Sequence, residues 1–387
     1  DDAPSGTGQA GPATPSVVPE WPFLTQGLRN RALMTVGGSA WYAAPGGLTP
    51  AVRLRTNYQQ WLDRWELGIA VAPRSPNGGR SGHLQGWVTA ENPNLPFGSR
   101  PAIGVRLGMW ALDGVGRFDV AKAWDLSPFY YSNGGQRRIT LGVDATIPYD
   151  TAWMDPRRWD DARVADARLE YYWRSPDPLG ISARFRVSGG LVAPRDSARS
   201  RHGYSRADME ASGRWFLDHR KSTLAFARLF AGASDRAPTE RGIGLAALDA
   251  TESFTDDLLR GRGAPLARSD VHFASLGDGS VRGYAPFLRM RSLAAANAGL
   301  AASLYSPRPG SAAPRLWLSV FGDGARGVAD GTGAHGRFFA DAGAGVTLTG
   351  MLFDKAYTLR LDVPVYVRQA ADAGGAVRWV WGFSREW

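Results

Sequence analysis

Apolar and polar residues alternate one for one along most of this chain, and glycine, proline and polar clusters interrupt the alternation at intervals. Successive side chains of a strand point to opposite faces, so a period of two predicts β-strands. The stretch 357–367 shows it best. Tyr357, Leu359, Leu361, Val363, Val365 and Val367 fall on one face, and Thr358, Arg360, Asp362 and Tyr366 on the other, with Pro364 among them. The same reading predicts strands at 30–43, 49–58, 61–73, 83–91, 100–112, 115–124, 136–148, 164–174, 179–191, 204–218, 222–234, 286–306, 314–325, 337–349, 356–367 and 376–387. That is about sixteen, an even number, as single-chain bacterial barrels have. The one helical pattern is TESFTDDLL at 251–259, with Thr251 placed to cap and acidic residues suited to its N-terminal end.

Alternation alone also suits a soluble sandwich with its apolar face inward. Strand number and aromatic placement favour an all-β transmembrane antiparallel barrel. Trp and Tyr recur near strand ends, at Trp41, Tyr42, Trp61, Trp110, Trp124, Tyr171, Tyr172, Trp173, Trp215, Tyr305 and Trp379. Amphipathic rings favour the headgroup level of a bilayer. Connections alternate in length: 149–163, 192–203 and 235–285 are long, whereas 175–178 and 219–221 are short. Outer loops of such barrels exceed their periplasmic turns. Residues 1–28 are rich in Gly, Pro, Ser and Thr and read as a linker or periplasmic tail, leaving 29–387 as the barrel. The chain begins Asp1-Asp2, acidic where a secretion signal is basic, so it is expected to be a processed product, with a cleaved N-terminal domain as one possible partner.

Composition sharpens this picture in three places. There is no cysteine among 387 residues, which excludes disulfides and thiolate metal sites. Mean hydropathy is -0.26, and no apolar run approaches the roughly 20 residues of a spanning helix. The net charge is +9, carried almost wholly by dispersed arginines such as Arg184 and Arg186 at alternate positions. Dispersal argues against nucleic-acid binding and for a wet lumen, or for contact with outer-membrane lipid and lipopolysaccharide headgroups. His83, His202, His219, His272 and His335 are scattered, so no transition-metal site is expected. The acidic pairs Asp160-Asp161 and Asp256-Asp257 read as solvated residues or weak calcium ligands. No catalytic motif is present, so neither catalysis nor a cofactor is assigned.

Two stretches carry a resemblance. The first is Gly277 to Tyr284, GDGSVRGY, in the connection between the eleventh and twelfth expected strands, followed by Phe321-Gly322-Asp323. The second is the end of the chain, where Trp379, Trp381 and Phe383 alternate before the final Trp387. With FFADAGAGVTL at 338–348 and YTLRLDVPVYV at 357–367, they resemble the bacterial surface antigen superfamily of outer-membrane barrels. That superfamily includes the insertases of the barrel-assembly machinery and the translocators of two-partner secretion. The resemblance implies that 235–285 folds into the lumen, and that Val281-Arg282-Gly283-Tyr284 docks on a wall carrying Phe321 and Asp323. It also implies that Trp379, Trp381, Phe383 and Trp387 form an assembly signal read by the barrel-assembly machinery during biogenesis. Physically, Arg282 inside a barrel needs an anionic partner, which Asp323 supplies, and Gly283 lets the backbone approach the wall. The chain departs from the pattern at Arg385, where an apolar residue is usual. It also departs in having about 28 residues before the first strand, too few for a polypeptide-transport-associated domain. The expected role is therefore a non-catalytic anchor or scaffold for a soluble or membrane partner. Protein insertion, translocation or a passive pore, with Gly37-Gly38 loosening the first strand, is the alternative, and a soluble all-β binding protein is the third.

Overall fold

A computed structural model describes residues 16–19, 33–43, 47–58, 62–73, 83–95, 103–126, 135–176, 180–196, 198–246, 250–251, 271–273, 277–285, 288–306, 313–329, 336–352, 355–368 and 379–384. The strands are β1 (Ser16–Pro19), β2 (Leu33–Ala43), β3 (Gly47–Tyr58), β4 (Leu62–Ala72), β5 (His83–Leu95), β6 (Ile103–Leu112), β7 (Val115–Asp125), β8 (Gln136–Pro148), β9 (Ala162–Arg174) and β10 (Ile181–Pro194). They continue as β11 (His202–Phe216), β12 (Thr223–Asp235), β13 (Ile243–Gly244), β14 (Val271–Phe273), β15 (Arg289–Tyr305), β16 (Arg315–Ala329), β17 (Arg337–Leu352), β18 (Lys355–Val367) and β19 (Trp379–Ser384). Setting aside the short β1, β13 and β14, sixteen strands remain, and each matches one expected from the alternation. Each pairs antiparallel with the next, and β12 passes directly to β15. The expected tail contributes β1, and the helix expected at 251–259 lies outside the described residues beyond Thr251.

Alternation sorts the side chains into a dry outside and a charged inside. Along β16, Trp317, Ser319, Phe321, Asp323 and Ala325 are buried, while Leu318 and Val320 are exposed. The same outward row continues around the wall through Val52, Ile69, Met109, Val143, Leu169 and Leu229. An apolar belt of this extent is a liability in water and is at rest in hydrocarbon. The inner face instead carries ion pairs: Arg106 and Arg168 on Asp119, Arg117 on Asp144, Arg186 on Asp208, and Arg184 and Arg228 on Glu210.

Two expectations from alternation are corrected. Tyr366, expected inside, is exposed, and Val367, expected outside, packs against the lumen cluster. The register steps from Gly343↔Pro364 to Ala342↔Tyr366, so Val365 is a bulge, and one extra residue exchanges the faces beyond it. Trp41 and Trp110 do not sit at the outer headgroup level. They are 3% and 4% exposed and pack in the lumen with Trp87, Met154 and Trp159. Trp41 meets Trp87 edge to face at 6.0 Å. Tyr171, Trp215, Tyr305 and Trp379 are exposed, as headgroup-level rings would be.

The edges of the strand array carry partners of their own. β1 pairs in parallel with β2, and β14 pairs in parallel with β19. Among the described residues no register joins β2 to β19 directly. Gly37 and Gly38 do not interrupt β2, where they face Arg53 and Val52.

Candidate functional site

The described parts of the connection from β12 to β15, 236–246 and 277–285, pack against inward residues of the wall. These two limbs hold each other: Val281 N–H donates to Leu245 O at 3.1 Å, and Gly279 N–H to Gly244 O at 3.0 Å. Ile243, Leu245, Val281 and Tyr284 are at most 1% exposed and pack on Phe230, Met290, Leu293 and Phe339 of the wall. Four buried charged residues ride on the described part of this plug: Glu240, Arg241, Asp278 and Arg282.

Arg282 lies against Asp323. Its Nε donates to Asp323 Oδ2 at 2.9 Å and its Nη2 to Asp323 Oδ1 at 3.2 Å, a bidentate pair. Its Nη1 reaches Asp362 Oδ2 at 3.4 Å, and the guanidinium lies 3.8 Å from the Phe321 ring centre. Asn297 Nδ2 donates to Asp323 Oδ1 at 3.1 Å. Burial alone would weaken the charge on Arg282; the carboxylates of Asp323 and Asp362 outweigh it and raise its pKa. Gly283 N–H donates to Asp341 Oδ2 at 2.7 Å, and a Cβ there would lie 2.6 Å from Val367 Cγ2, so a side chain does not fit. Tyr284 O–H donates to Arg368 O at 2.5 Å, and its ring meets Phe339 edge to face at 5.3 Å. Val281, Arg282, Gly283, Tyr284, Phe321 and Asp323 thus come together. Trp379 and Trp381 face outward from β19. Phe383 lies on β19, but its side chain is outside the described residues, as is Trp387.

Two further attachments have no counterpart in the motif. Arg241 Nε donates to Asp166 Oδ2 at 2.7 Å, and its Nη2 to Asp144. Asp144 also accepts from Arg117 Nε at 2.6 Å. On the other limb, Asp278 Oδ1 accepts from Arg206 Nη2 at 2.8 Å and Oδ2 from Gly244 N–H at 2.8 Å. Arg206 Nη1 reaches back to Arg241 O at 3.0 Å, which ties these two attachments together. The plug is therefore clamped to β8 and β9 by Arg241, to β11 by Asp278, and to β16 and β18 by Arg282. Asp160 is not a solvated loop acid: it accepts from Thr239 N–H at 3.0 Å and Thr239 Oγ1 at 2.7 Å, fixing the turn that presents Arg241. Burial pushes Glu240 up to about 7. A sequence signal existed for this second set: Asp119, Asp144, Asp166 and Asp208 occupy inward positions of β7, β8, β9 and β11, where buried carboxylates call for cations.

No protein-family model matches the chain, and no curated protein sequence matches it. Solved structures do. BamA from Haemophilus ducreyi lacking POTRA domains 1-3 superposes over 92% of this chain and 71% of its own, at 13% identity and a TM-score of 0.47. CdiB from Escherichia coli superposes over 91% of this chain at 14% identity and a TM-score of 0.51, and the chain spans 60% of CdiB's length. At this identity the likeness is one of fold: the chain has the fold of an outer-membrane β-barrel of the CdiB type.

Proposed function

We propose that this chain is an outer-membrane barrel that inserts or translocates polypeptide, gated by the segment between β12 and β15. One observation carries the reading. The segment that closes the lumen through Arg241, Asp278 and Arg282 also supplies β14, which lies on the edge of β19. A free strand edge offers unpaired N–H and C=O groups to any extended chain. β14 covers that edge with three residues only, 271–273, so an incoming strand replaces few hydrogen bonds, each worth about 1 kcal/mol net. Withdrawing the plug and baring the edge are then one movement. A static anchor or scaffold needs a stiff wall but neither a removable stopper nor a lightly covered edge.

The chain has no cysteine, so an introduced pair reports cleanly. His272 of β14 and Val380 of β19 are Cα partners in the sheet, a spacing a disulfide can bridge. The His272→Cys/Val380→Cys chain, which locks β14 on the β19 edge when oxidised, is reconstituted in liposomes and given an unfolded outer-membrane protein. Insertion or uptake is expected only after reduction. Equal activity of the oxidised and reduced forms would contradict gating by this segment, and no activity in either form or in the unmodified chain would return the anchor reading.

A further inference from the structure

The outer wall holds a feature that the plug does not use. Where β10, β11, β12, β15 and β16 approach the long-loop rim, the lipid-facing side chains become small, and a valley opens on the outside of the barrel. One part, about 630 Å³, runs between Phe185 and Met209 on one bank and Arg326 on the other. A second part, about 660 Å³, continues from it past Arg291. Both share Ala207, Ala233, Ser292 and Val328. Phe185 and Met209 are about half exposed, so they stand proud of the alanine floor.

The far bank is cationic: Arg326 and Arg291 line the valley and are exposed. Arg291 meets Asp235 only loosely, at 3.7 Å. Arg326 has no carboxylate partner among the described residues. Arg326 follows the outward apolar positions Leu318 and Val320 on the same strand, which puts its guanidinium at the level where hydrocarbon ends. Unneutralised guanidinium groups on a lipid-facing strand are costly unless an anion meets them. A narrow apolar valley beside two exposed, weakly neutralised guanidinium groups matches one kind of molecule: an acyl chain in the valley and a phosphate at its head. We infer that this face binds a lipid with a phosphate-bearing headgroup in the leaflet at the long-loop rim, through Arg326 and Arg291, with its acyl chain between Met209 and Ala294.

This inference rests on the chain being a membrane barrel, and the test separates the two. The full chain is folded in detergent, checked by heat-modifiable migration on gels, and incubated with phosphatidylglycerol or phosphatidylcholine. Retained lipid is counted by native mass spectrometry. Wild type is expected to retain phosphatidylglycerol in preference. Arg326→Gln/Arg291→Gln should lower that retention roughly tenfold and abolish the preference. Ala233→Phe, which fills the valley without touching charge, should lower retention of both lipids. Inorganic phosphate at millimolar concentration should not compete; if it displaces the lipid, the site reads an anion alone and the acyl seat is wrong. Equal retention of the two lipids, or a double variant that binds like wild type, would overturn the proposal while leaving the barrel intact. A chain that stays folded and soluble without detergent would instead end the barrel reading itself.

Discussion

Arg282 is held by fixed geometry as much as by charge. A bidentate fork on Asp323, a longer contact to Asp362 and a stacked Phe321 ring all require the planar guanidinium. Arg282→Ala leaves the buried carboxylate of Asp323 without its ion-pair partner, a loss on the order of 3–5 kcal/mol in plug docking. Limited proteolysis of the folded barrel should therefore cut the plug of Arg282→Ala quickly. Arg282→Lys, which keeps the charge but not the fork, should be intermediate, and an Ala variant as resistant as wild type would refute the role. Glu240 adds a pH term. Its docked pKa of about 7 stands above the ordinary carboxyl value of 4.5, so docking holds its full strength below about pH 4.5 and weakens as pH rises through 7. The change is on the order of 3 kcal/mol. Proteolysis of the plug should accelerate between pH 5 and 8 in wild type, and Glu240→Gln should flatten that slope. The Arg282–Asp323 pair was legible in the sequence because both residues sit in recognisable phrases. Arg241 and Glu240 were not, because a lone charge in a long connection has no period to mark it; Asp278 lies within GDGSVRGY, but nothing in that phrase names its partner Arg206. Only the inward carboxylates of β8 and β9 hinted that a cation had to arrive.

At the scale of the strand, alternation carries nearly all the information, and it fails where one residue is added. The sixteen long strands follow from period two, yet the period cannot locate the Val365 bulge. That bulge turns Val367 inward onto the plug cluster and Tyr366 outward. Deleting Val365 should restore strict alternation and swing Val367 away from Gly283. The folded barrel should persist on heat-modifiability gels, while its plug becomes protease-sensitive. A deletion that leaves the plug protected would show that the bulge has no part in docking. Trp41 and Trp110 teach the complementary point. Position near a strand end suggested the membrane interface, but parity decides the face: Trp41 shares its side of β2 with buried Thr35, and both point into the lumen. Proximity to a rim says how deep a ring sits, and only the count of residues along the strand says on which side.

At the scale of the whole molecule, the wall is a ladder of ion pairs and the plug is a charged strap across it. Attachments on β8, β9, β11, β16 and β18 hold it from separate parts of the circumference, so losing one should loosen the plug without freeing it. These pairs are buried and weakly screened, so moderate salt should not release them. In the proposed function the plug closes the lumen and, through β14, covers the edge of β19. Single-channel recording in planar bilayers tests that claim most directly, with wild type set against the Arg241→Ala/Asp278→Ala/Arg282→Ala chain. Wild type should stay silent at neutral pH, and the triple variant should show sustained openings of a water-filled barrel. Wild type conducting as freely as the triple variant would contradict a charge-locked plug.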